Sequence, residues 1–165
     1  MDILNNFNGL LQTAESNLKT GIEQIRYDLA RKNLTKSPSG ANIFLDESID
    51  LLSDEAFKTL NEIKGEIYKP KEWEPIRHAL KQFIETQSNL LSDFLIGNWE
   101  QPAPQINKQV KLLKSLVVRE INTYIDSQKL KLSIGAQLAK DLLKIVYYGL
   151  AAGVVGFLLK FLLSR

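Results

Sequence analysis

Residues 145–163 read IVYYGLAAGVVGFLLKFLL, and whether lipid or protein surrounds them decides the architecture of the whole chain. Ile145 to Leu159 is fifteen residues without a charge, and counted through Lys160 the apolar run reaches nineteen. At about 1.5 Å rise per residue, a helix of that length covers roughly 28 Å, close to the hydrocarbon thickness of a bilayer. Its apolar residues cover every face. Lys144 and Lys160 bracket the run, and their long stems can carry each ammonium toward an interface. Tyr147 and Tyr148 stand near one end, where an aromatic belt belongs. The expectation is a C-terminal membrane-spanning helix. A second arrangement stays open, in which the run is the central helix of a water-soluble bundle.

Glycines at 149, 153 and 156 share one helical row with Lys160, and Gly149-Leu-Ala-Ala-Gly153 is a GxxxG flanked by Ala152. In lipid, helices associate by close backbone approach, so Gly149, Ala152, Gly153, Gly156 and Lys160 form the expected packing face for a second copy. A charge on that face would point into an assembly or a wet lumen.

Just before the run lie Lys129, Lys131, Lys140 and Lys144; beyond it only Lys160 and Arg165 remain. The positive-inside rule therefore predicts a single-pass protein of the cell membrane with its N-terminal body in the cytoplasm. The four lysines are candidates for contact with lipid headgroups. Charge is uneven along the chain. Residues 1–100 hold eleven Lys/Arg against sixteen Asp/Glu, whereas 101–165 hold ten against three. The basic half adjoins the apolar tail, which favours an anionic lipid surface over nucleic acid as its partner.

The rest of the chain is patterned for helices. Leu4, Phe7, Leu11, Ala14, Leu18, Ile22, Ile25 and Leu29 recur at steps of three and four, with a stutter near Gly21, and predict one long helix over the first thirty residues. A loop is expected over Asn33–Asn42, which holds Ser-Pro and Ser-Gly dipeptides. Leu45, Ile49, Leu52, Ala56, Leu60, Ile63 and Ile67 predict a second helix from near Asp46 to Lys69. Glu74-Pro75 opens a third, with proline in the first turn and Gly97 as its stop. A proline-rich loop over Asn98–Gln105 precedes a fourth, carried by Ile106, Val110, Leu113, Val117, Ile121 and Tyr124. Over Gln128–Gly135 the period falters, since Leu130, Leu132 and Ile134 alternate as a strand would. A kink or poor helix is expected there, with the tail helix starting near Ala136.

Chemistry-bearing motifs are sparse. The chain has no cysteine, which removes disulfides and thiolate metal sites. Asp46, Asp50 and Asp54, with Glu47 and Glu55, repeat along one helix, but no glycine-bearing calcium loop accompanies them. His78 is the only histidine; Glu74 precedes it by four, and no second Glu/His pair completes a metal set. No phosphate loop, nucleophile set or dinucleotide fingerprint appears. Trp73 and Trp99, at the two ends of the third helix, are expected to cover the bundle's ends, with a place for one of them at a membrane surface or partner site as the alternative.

The expected fold is all-α: an antiparallel bundle of about four amphipathic helices (residues 1–135), then a C-terminal hydrophobic, membrane-spanning helix (136–165). The expected function is that of a tail-anchored interaction protein without catalytic activity or cofactor. Its partners would be the bilayer, further copies of itself and a protein on the bundle surface, with no nucleic acid. The alternative is an oligomeric membrane-perturbing or pore-forming effector, of toxin or cell-suicide type, whose C-terminal helices assemble in the bilayer.

Overall fold

The computed structural model describes residues 3–35, 37–99 and 103–163, the last stretch with side chains from Pro104 to Val146. It is all-helical, with α1 (Ile3–Arg31), α2 (Pro38–Ile63), α3 (Trp73–Trp99) and α4 (Ala103–Leu163) joined by short connections. Each of the first three is 26–29 residues long. α4 is 61 residues, about 90 Å at 1.5 Å per residue, and more than twice the length of the others.

Cross-helix contacts run in opposite directions along neighbouring helices. Asn6 reaches Glu66 and Asn17 reaches Glu55, so α1 and α2 are antiparallel. Ser92 meets Asn107, Lys114 meets Glu85 and Lys129 meets Glu74, which makes α3 and α4 antiparallel as well. The bundle is flattened. α1 packs mainly on α2 and α4 mainly on α3, while α1 and α4 make at most a marginal contact with each other. Burial follows from this arrangement: α2 and α3 each bury eleven residues and α1 five. α4 contributes Ile106, Val110, Val117, Ile121 and Ile125 to the core among its described residues. The two central helices are wetted least.

Every position of the stripe from Leu45 to Ile67 is buried, the last of them just past the end of α2. On α1 the buried members are Phe7, Leu11, Ala14, Leu18 and Leu29, with Ile22 and Ile25 partly covered. Both tryptophans are core residues, Trp73 at the tail end of the bundle and Trp99 at the distal end. Packing at the centre also buries Ser48 and Ser88, whose hydroxyls have no hydrogen-bond partner among the described residues. Small side chains let two central helices approach, and an unpaired hydroxyl costs free energy where it is dry. Ser88→Ala is therefore expected to leave the unfolding free energy unchanged or raise it by about 1 kcal/mol, measured by denaturant unfolding.

Two boundaries differ from expectation, for local reasons. The loop expected over Asn33–Asn42 is shorter, because α2 begins at Pro38. Ser37 is its N-cap, its hydroxyl accepting the Gly40 N–H at 2.9 Å, and Pro38 takes the first helical position. The Ser-Pro pair is thus a helix start, not merely a turn. α1 closes with Asn33 in the left-handed region (φ 56°) and a bond from Leu34 N–H back to the Leu29 carbonyl, a six-to-one closure. α2 ends at Ile63, earlier than Lys69, passing into a single 3-10 turn (Lys64–Glu66). α3 runs past Gly97 to Trp99.

The expected kink over Gln128–Gly135 does not occur: α4 is continuous through it, so no helix boundary separates 1–135 from 136–165. The strand-like alternation has a helical cause. Leu132 packs against the core, whereas Leu130 and Ile134 are exposed on another face, so two helical rows interleave in sequence. The central-helix arrangement concerns side chains from Tyr147 onward, which lie outside the described residues. The middle of the bundle is filled by α2 and α3, and α4 leads away from it.

Candidate functional site: the projecting half of α4

α4 is gripped where it leaves the bundle. The Tyr124 hydroxyl donates to Asn61 of α2 at 2.8 Å, and its ring meets Phe57 edge-on at 5.7 Å. Burial raises the Tyr124 pKa above its ordinary value. One turn on, Asp126 pairs with Arg77, and Lys129 pairs with Glu74 of α3. The hydrogen bond from Lys129, helped by the charge of Arg77, holds the Glu74 carboxyl below its usual 4.5 against a smaller opposing effect of desolvation. A depressed carboxyl contributes stability above its unfolded-state pKa and loses it as pH falls through the folded value. Glu74→Gln is thus expected to cause a small, salt-sensitive loss of thermal stability at neutral pH, which vanishes in acid; exposed pairs are weak.

Among the described residues, Leu132 is the last side chain to touch the core. From there to Val146 the helix projects, and its described apolar residues, with Leu130 just before, are bare. Leu130, Ile134, Leu138, Leu142 and Ile145 are 51–68% exposed. At 3.6 residues per turn, Ile134, Leu138, Leu142 and Ile145 lie within about 80° of one another, with Ser133 and Lys140 on the far side and Lys144 to one side. From Leu142 the character changes. Leu143 and Val146 are also exposed, 69% and 58%, so apolar surface spreads beyond the row and around the helix.

The predicted lysines divide into two groups. Lys129 is engaged by Glu74 at the bundle's end. Lys131 and Lys140 are exposed and form no ion pair among the described residues, and Lys144 lies 3.7 Å from Asp141. The side chains of the packing face expected in the tail (Gly149, Ala152, Gly153, Gly156 and Lys160) lie outside the described residues. Among the described residues, no helix is long and apolar enough to cross a membrane.

Elsewhere, Asp46, Glu47, Asp50 and Asp54 face solvent along α2, while Glu55 accepts a hydrogen bond from Asn17. No group of three or more potential ligands is placed to hold a metal among the described residues. His78 is exposed. A feature that periodicity missed is a cleft of about 440 Å³ at the distal end, between α1 and α3. The Arg26 guanidinium sits 4.8 Å over the Phe94 ring and is ion-paired to Glu23. Phe94 in turn packs on Phe44 and Trp99, at 5.1 and 5.7 Å. Its walls come from two helices far apart in sequence, and only the two aromatic residues near the end of α3 hinted at it.

Comparison with protein-family models, with curated proteins and with solved structures returns no match.

Proposed function

We propose that this chain is a membrane-anchored helical interaction protein without catalytic activity, its body held at the cytoplasmic face by the C-terminal part of α4. The supporting observation is the bare, projecting helix. Its exposed apolar surface widens from Leu142 onward, at the threshold of the uncharged run that begins at Ile145. Large exposed apolar surface is costly in water and marks contact with lipid or protein.

Helical continuity turns sequence separation into height. Lys144 and Lys140 precede Ile145 by one and five residues, about 1.5 and 8 Å along the axis, within reach of headgroups. Lys131 lies about 21 Å away, beyond a physiological Debye length of about 8 Å, and Lys129 is farther still. Headgroup contact in this reading thus narrows to Lys140 and Lys144. The body stands off the surface by the projecting segment, and its distal cleft, lined by Tyr27, Arg26 and Phe94, faces the cytoplasm as the surface for a protein partner.

The test is membrane fractionation of the full chain. It is expected in the membrane pellet, resisting both high salt and alkaline carbonate, and released by detergent. Release by carbonate or salt alone would reject the anchor.

A further inference from the structure

We infer that the exposed row of the α4 rod packs against the same row of a second copy of this chain, beginning in water at Ile134, before the apolar run. The inference rests on the anchored reading above for its orientation. Ile134, Leu138, Leu142 and Ile145 are spaced 4, 4 and 3, an eleven-residue repeat. Gly149, Gly153 and Gly156 complete a second such repeat without a break. Eleven residues in three turns is about 3.67 per turn, the period of helices that run side by side nearly straight or with a slight right-handed supercoil. A single row kept in line over two repeats suits a long helical partner of the same period.

Other occupants fit less well. Among the described residues, the chain's own bundle covers nothing past Leu132. A bilayer surface cannot lie along a rod whose axis continues into the bilayer. Two copies anchored in one membrane, however, present identical rows at the same height and in parallel, so a symmetric contact is self-complementary. Confinement to a membrane also raises their effective concentration, which compensates for a narrow contact. Lys140 lies behind the row and Lys144 to one side of it, so two rods can meet without bringing these two lysines together.

The absence of native cysteine makes a clean test possible. Single cysteines are placed in the full chain at Ile134→Cys, Leu138→Cys and Leu142→Cys on the row, and at Ser133→Cys, Ala136→Cys and Lys140→Cys behind it. All six positions are exposed, so the fold is spared. Membranes and the soluble fraction of expressing cells are oxidised, and dimer-sized bands are read on non-reducing gels. A disulfide needs its Cβ atoms within about 4.5 Å, so the readout is specific to the face. The expected result is several-fold stronger cross-linking on the row than behind it, and its loss at Leu142→Cys when Leu138→Asp is added. Equal cross-linking on both faces, or none, overturns the inference. The two readings fail separately. A face-specific pattern in protein found only in the soluble fraction would reject the anchor and keep the pairing; membrane-bound protein without the pattern would do the reverse.

Discussion

Gly40→Ala is expected to destabilise the body by about 2–4 kcal/mol, a large share of the 5–15 kcal/mol typical of a domain. Alanine is ordinarily the better helix former, by about 1 kcal/mol. Here the added Cβ would stand 1.9 Å from the Leu34 carbonyl oxygen and 2.8 Å from its carbon. Those are backbone atoms, held by the closure of α1 on one side and by the Ser37 cap on the other. The clash is relieved only by moving the connection between the two helices, which pulls Ala41 and Phe44 out of register with the core. Gly97→Ala is the control. Nothing beyond its own turn of helix lies within 4 Å of its Cβ position, and it sits inside α3, so that substitution is expected to stabilise by about 0.5–1 kcal/mol. Urea unfolding of both variants checks the opposite signs.

Truncation after Lys140 is expected to move the protein wholly from the membrane pellet to the supernatant while leaving its unfolding midpoint unchanged. All core residues described here lie at or before Ile125, and the grip on α4 ends with Leu132. Among the described residues, none of 141–146 is a buried side chain of the bundle, so the loss on removing 141–165 is expected to stay within about 0.5 kcal/mol. A soluble remainder that melts cooperatively at the parental temperature is the predicted outcome. An unfolded or aggregating remainder would mean that the tail belongs to the core.

The core was the most legible part of the chain. A stripe of steps three and four is diluted by nothing when a helix buries one face, and Leu45 through Ile67 proved buried without exception. Boundaries were harder, because one dipeptide serves two purposes: Ser37-Pro38 ends a loop and begins a helix through a cap that only geometry distinguishes. The break sought between Gln128 and Gly135 was an overlap of two rows, one for the bundle and one for solvent, which a one-dimensional period cannot separate. Lys129 looked like its neighbours in sequence until Glu74, 55 positions away, was brought against it. The distal cleft was illegible for the same reason, being made by Arg26 and Phe94 from different helices.

The antiparallel run of α4 along α3 has a mechanical consequence. A pull on the tail is directed down the axis of α4, parallel to its seam with α3, from Ser92–Asn107 through Glu85–Lys114 to Glu74–Lys129. Such a load is shared by all those rungs at once, in shear, instead of peeling them one after another. α1, which barely touches α4, carries almost none of it. Tension arriving through the tail would thus be borne by the α3–α4 pair, leaving α1 the first part of the body to yield.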